Sequence, residues 1–155
     1  MILYKVIGAF IAIYSFAIML ETPKKYLPYA GSVGAIGWFV YLIALGNVDN
    51  EILATFLSAL AIAFVSQIFA RVLKLPVTVF LVAGILPTVP GAGMYRIVYY
   101  FIYNDMDMAA HYLALTLELA GAIAIGIFLV DAIFRLFQKG KKQNSLDYSE
   151  KKIDN

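Results

Sequence analysis

Residues 76–103, PVTVFLVAGILPTVPGAGMYRIVYYFIY, form an apolar stretch long enough to cross a bilayer, yet Pro87, Pro90, Gly91 and Gly93 interrupt its centre. Proline lacks an amide N–H and clashes with the preceding turn, so a continuous helix cannot run through this segment. At membrane depth, unpaired backbone groups persist only inside protein or beside a water-filled cavity. The stretch therefore predicts a discontinuous helix. Membrane transporters use such breaks to present free N–H groups and half-helix dipoles to polar solutes near the midplane. The competing reading is a proline kink whose freed groups are satisfied by neighbouring helices. Two prolines and two glycines within seven residues favour the break.

The remainder of the chain is equally apolar. Hydrophobic residues make up 63% and charged residues 14% of the 155 positions, which predicts an all-α integral membrane bundle. Five spans are expected, at residues 1–20, 29–45, 52–70, 77–103 and 108–134, the fourth broken near the midplane. Residues 1–137 then form one transmembrane domain, and residues 138–155 a short charged cytoplasmic tail. The first span has no basic n-region, and ETPKKY follows it rather than a small-residue cleavage site, so it reads as a retained helix.

The absence of cysteine excludes disulfides, thiolate metal sites and a Cys nucleophile, and a single histidine argues against a His-based metal cluster. No cofactor motif or nucleophile–base pair has recognisable spacing, so an enzymatic role, a cofactor, a metal and a nucleic-acid partner are not expected.

Charge predicts the topology. If all five segments cross, Lys24, Lys25, Arg71, Lys74, Arg135, Lys139, Lys141, Lys142, Lys151 and Lys152 share one side, and Asp49, Glu51, Asp105 and Asp107 occupy the other. The positive-inside rule then places the C-terminus in the cytoplasm and the N-terminus outside the cell membrane. A re-entrant hairpin at 77–103 would split the basic residues between the two sides and is disfavoured. Residues 77–86 and 94–103 are each ten residues long, or about 15 Å at the helical rise, so the break falls near mid-bilayer.

The segment from Pro87 to Arg96, including Thr88, Pro90, Gly91, Gly93 and Tyr95, is expected to frame a solute. A carboxylate suits the N–H groups opening the second half-helix near Gly91, and glycines there permit close approach or simply a tight turn. Arg96 is an intramembrane charge. It reads either as a bidentate carboxylate clamp or as a structural cation, paired with Glu118 or snorkelling to the interface. Glu118, deep in the last span, is the expected proton-coupling carboxyl, with His111 seven residues earlier on about the same face. An interfacial polar residue is the plainer reading of His111. Gln67 is expected to line an inner vestibule. Ser66, Thr55, Ser58 and Thr78 read as interhelical hydrogen-bonding groups, and Asp131 with Arg135 as a pair four residues apart on one helix. Gly31, Gly34 and Gly37, and Ala122 with Gly126, mark close-packing faces for helices of this chain or of a partner.

Lys74-Leu75-Pro76 with residues 77–80, then Gly84-Ile85-Leu86-Pro87-Thr88-Val89-Pro90-Gly91 and Tyr95-Arg96, resembles the C-terminal half of the threonine/serine exporter family. The likeness extends to Gly34-Ala35-Ile36-Gly37-Trp38 and to the Gly-rich last helix, and Thr88 departs from the apolar residue expected at its position. The resemblance implies export of small carboxylate-bearing metabolites, either threonine and serine or dicarboxylates such as succinate. It also implies a separately encoded larger subunit, because fused members carry about twice as many spans. A homo-oligomer, or a structural or pore-forming subunit that binds no solute, is the alternative.

Overall fold

The computed structural model describes residues 2–153, and side-chain surroundings for residues 2–136. Among these residues every regular element is helical. The order is α1 (Ile2–Met19), a 3-10 turn at Lys24–Tyr26, α2 (Leu27–Val48), α3 (Glu51–Leu73), α4 (Thr78–Ile85), a 3-10 turn at Leu86–Thr88, α5 (Gly91–Ile102) and α6 (Met106–Ile153). Four helices are long and apolar enough to cross a membrane, and five spans result when the bent α4–α5 pair counts as one. The chain is thus the expected all-α membrane bundle. The backbone of α6 continues helically through Ile153, while the side chains of the expected tail, Lys139, Lys141 and Lys142 among them, lie outside those described.

Local chemistry sets the helix ends. α2 stops where Asp49 takes a left-handed conformation at φ 50°, and Asn50 Oδ1 accepts from the N–H groups of Ile52 and Leu53 at 3.0 and 3.1 Å to start α3. An extended Asn at an N-cap satisfies donors that the first helical turn leaves free. Asp105 Oδ1 likewise accepts from Met108 N–H at 3.1 Å as α6 begins.

α1, α2, α3 and α6 pack in that order, each against the next; α4 lies on α2 and α3, while α5 lies chiefly on α6. The small residues meet this chain's own helices. Gly31 faces Phe10 and Gly34 faces Ile13 of α1, Gly37 faces Ile62 of α3, and Gly126 of α6 lies against Ala59 and the Phe56 carbonyl. Ser58 Oγ, fully buried, donates to the Gly37 carbonyl at 2.8 Å, a bond that close approach of α2 and α3 makes possible. Phe80 of α4 is also fully buried. Its ring meets Phe69 edge-on at 6.0 Å, and Phe69 meets Tyr29 at 5.4 Å, so one aromatic series joins α4, α3 and α2.

Near its end α3 touches the far part of α6: Gln67 bonds Asp131, and the Arg71 guanidinium lies 4.2 Å from the Phe134 ring centre. The two helices therefore run parallel. Parallel neighbours require the intervening chain to return to the end where α3 began, so α4 and α5 together carry it across as one broken span rather than as a hairpin. Lys24, Lys25, Arg71, Lys74 and Arg135 consequently share one end, and Asp49, Glu51, Asp105 and Asp107 the other. We refer to these as the basic and acidic ends. Phe80→Ala empties the contact that holds α4 to α2 and α3. It is expected to cost about 3 kcal/mol, read as a lowered thermal unfolding midpoint of the detergent-solubilised chain.

Candidate functional site

The two halves of the broken span meet at 49°, so the interruption is a true break and not a mild kink. α4 ends at Ile85, whose carbonyl accepts from Thr88 Oγ1 at 2.7 Å. The Thr88 hydroxyl thus has a local task, capping the half-helix where Pro87 has removed an amide donor. Val89 N–H reaches the Leu86 carbonyl at 3.3 Å and Gly91 N–H the Val89 carbonyl at 2.8 Å; the next helical bond runs from Met94 N–H to the Pro90 carbonyl. The N–H groups of Ala92 and Gly93 have no backbone acceptor among the described residues. They are the free donors at the positive end of the α5 dipole.

These donors face a cavity of about 300 Å³. Its lining includes Pro87, Thr88, Pro90, Gly91, Gly93 and Arg96, six of the expected solute-framing residues, together with Trp38 and Tyr41 of α2, Glu51 and Thr55 of α3, and Tyr112 and Thr116 of α6. Arg96 Nη1 approaches Tyr112 Oη at 3.5 Å and its guanidinium lies 5.1 Å from that ring's centre, while the Tyr100 ring stacks on Tyr112 at 5.4 Å. Stacking on aromatic rings orients a guanidinium without neutralising it. The Thr116 hydroxyl is buried without a hydrogen-bond partner, its residue only 9% exposed. Buried polar groups are nearly always paired, and this one is enclosed by the close approach of Gly93.

The two glycines of the break differ. No described glycine has a positive φ, so the turn does not depend on left-handed geometry at Gly91 or Gly93. A Cβ at Gly93 would overlap Thr116 Oγ1, whereas one at Gly91 would meet open space. Gly93 is the position where α5 must come close to α6.

Tyr95 is turned away, 69% exposed, with its ring 6.1 Å from Tyr99. Gln67 lies in a second cavity of about 530 Å³ nearer the basic end, where its Nε2 donates to Asp131 Oδ1 at 3.1 Å and Arg135 Nε donates to Asp131 Oδ2 at 2.6 Å. The Asp131–Arg135 pair is therefore present and extends to α3 through Gln67, which lines this cavity. Glu118 does not pair with Arg96: among the described residues the only ion pair is Asp131–Arg135. At 100° per residue, Glu118 and His111 share one face of α6, roughly a quarter turn or more from Tyr112, Thr116 and Leu119. Both are exposed, and Glu118 lines a separate groove with Asn50, Ile52 and Phe56.

Trp38, Glu51, Tyr112 and Thr116 were not singled out for the site from sequence. Glu51 reads there as a loop acid, and only the α2–α3 turn brings it beside the break. Lys5 of α1 also comes near, in a groove that shares Trp38 and Pro87 with the cavity.

A multi-pass helical bundle with a broken span and a polar cavity at the break is the architecture of a membrane transport protein. The family model described as Threonine/Serine exporter, ThrE, matches residues 5–133, and the chain belongs to that family. It is similar to a threonine/serine exporter of Corynebacterium glutamicum, 27% identical over 112 residues, covering 72% of this chain and 22% of that protein. It is also similar to a probable threonine/serine exporter of Mycobacterium tuberculosis, 27% identical over 138 residues, covering 85% and 26% respectively. The chain thus spans about a quarter of the length of these relatives. Both are named as transporters and not as enzymes. No solved structure matches the chain significantly.

Gly93→Ala is expected to force Thr116 or α5 aside and cost about 1–3 kcal/mol, whereas Gly91→Ala leaves stability essentially unchanged; thermal unfolding of the two variants makes the comparison.

Proposed function

We propose that this chain is the small subunit of an exporter of small carboxylate-bearing metabolites, threonine- or serine-like amino acids or dicarboxylates such as succinate, and works with a larger subunit of the same family. It resides in the cell membrane with its N-terminus outside and its C-terminus in the cytoplasm, as the grouping of basic residues favours. One observation carries the reading. Arg96 lines one cavity at the break together with Ala92 and Gly93, whose N–H groups are free at the start of α5.

A carboxylate there gains a guanidinium and a helix N-terminus, both of which stabilise negative charge where water is scarce. The second cavity, at Gln67 and Asp131, opens the same bundle toward the basic end, and side chains packed between α3 and α6 separate the two. Alternating access about the break would join each cavity to its own side in turn. A larger subunit is supported by the relatives, which are more than three times as long as this chain, and by α5, which buries none of its residues within it.

Proton coupling at Glu118, with His111 on the same face, belongs to the proposal. The carboxyl lies about 18 Å along α6 from its start and faces away from the solute cavity, so its protonation would act through the position of α6 or through the partner. Glu118→Gln is expected to abolish the response of transport to an imposed proton gradient; a variant that still responds as the unaltered protein does removes this part.

The main test is efflux of threonine, serine and succinate from loaded cells that lack related exporters and express the chain alone or with a larger family member. Efflux only with both chains supports the two-component reading. Efflux with the chain alone replaces it by a homo-oligomer, and no efflux under either condition leaves a structural subunit. Arg96→Gln is expected to lower efflux more than about tenfold without loss of the folded protein, the consequence of removing one charge-assisted contact.

A further inference from the structure

We propose that Glu51 is the specificity-determining residue of the cavity at the break, its carboxylate receiving the ammonium group of a zwitterionic solute whose own carboxylate lies on Arg96 and the α5 N-terminus. The inference rests on the reading of that cavity as the solute site.

Opposite charges line the same small cavity without neutralising each other. Glu51 and Arg96 both contribute to its wall, and among the described residues they form no ion pair. Arg96 is directed by Tyr112 and Glu51 by its place at the first turn of α3, next to the Asn50 cap. Arg96 is thus oriented by Tyr112, and Glu51, exposed at the start of α3, is left free for a ligand. Thr116 also lines the cavity, but its oxygen is packed against Gly93, so recognition falls to the two charged groups. A cavity of about 300 Å³ is at the small end of the usual range for small-molecule sites.

A molecule satisfying both groups carries an anionic end and a cationic end, as an α-amino acid does. A dicarboxylate would bring its second negative charge to the Glu51 side, and juxtaposed like charges disfavour binding. Glu51 thereby separates the two solute classes that Arg96 alone accepts equally.

An acidic residue in the first turn also interacts favourably with the α3 dipole, whatever the solute. The test must therefore read selectivity and not only total activity. Cells making the chain from its own locus, with any chains that accompany it, are loaded with threonine, with 3-hydroxybutyrate, which is threonine lacking its amino group, or with succinate.

Unaltered protein is expected to export threonine about ten- to a hundredfold faster than 3-hydroxybutyrate, the worth of one charge-assisted contact. Glu51→Gln is expected to collapse that ratio toward one by slowing threonine while leaving 3-hydroxybutyrate essentially as it was. A lost dipole contact would slow both alike. Equal export of threonine and 3-hydroxybutyrate by the unaltered protein overturns the inference without any variant, so a Glu51→Gln protein that fails to fold does not shield it. An unchanged ratio in a folded Glu51→Gln variant also overturns it, and if Arg96→Gln still abolishes efflux, the cavity stands as the solute site. No effect of Arg96→Gln overturns the cavity reading itself.

Discussion

The backbone break between Pro87 and Gly91 is the constraint around which the rest is arranged. Two prolines withdraw donors from the middle of a span, and hydrocarbon offers no replacement for the bonds lost. The chain meets this in three ways. The Thr88 hydroxyl caps Ile85, short backbone bonds close the turn, and α4 is enclosed by α2 and α3 through Phe80 and the close contact of Gly84 with Val33. The groups still unsatisfied, at the start of α5, open into a cavity instead of into lipid.

Anchoring is uneven across the break, and that asymmetry has mechanical meaning. α4 is fixed in the interior, whereas α5 buries nothing and rests chiefly on α6. Tyr112 couples Arg96 of α5 to α6, and Gln67 with Asp131 couples α6 to α3 at the other end of the bundle. A displacement of α5 with α6 against the α2–α3–α4 core would alter both cavities together. In the exporter proposed above, alternating access would use such a division into two bodies, with the break as the hinge between them.

Much of the architecture was legible from residue pattern. Apolar run lengths located the spans to within a few residues, because in a bilayer every backbone group must be satisfied within its own span, although α6 continues as a helix beyond its apolar run to Ile153. The Gly spacing in α2 was legible as a packing face, though not its partner, since a smooth surface accepts any helix; α1 and α3 turn out to occupy it. Within the site, Pro87 to Gly93 and Arg96 could be read together because they are contiguous. Tyr95, adjacent in sequence, points elsewhere because successive helical residues diverge by 100°. The pairing of Arg96 with Glu118, one of the readings the sequence left open, is not made for the same reason: depth alone matched them, and the rotational setting of α6 did not.

By itself, the sequence determined the number and character of the spans, the place of the break and the segregation of charge, since these follow from composition along one dimension and from the chemistry of proline. Tertiary structure alone decided which charges share a cavity. Glu51, Tyr112 and Thr116 are distant in sequence from the break and from one another, and they meet only because α3 and α6 run parallel on the same side of α5. Helix rotation and crossing come from many small contacts between faces, and no local pattern records their sum.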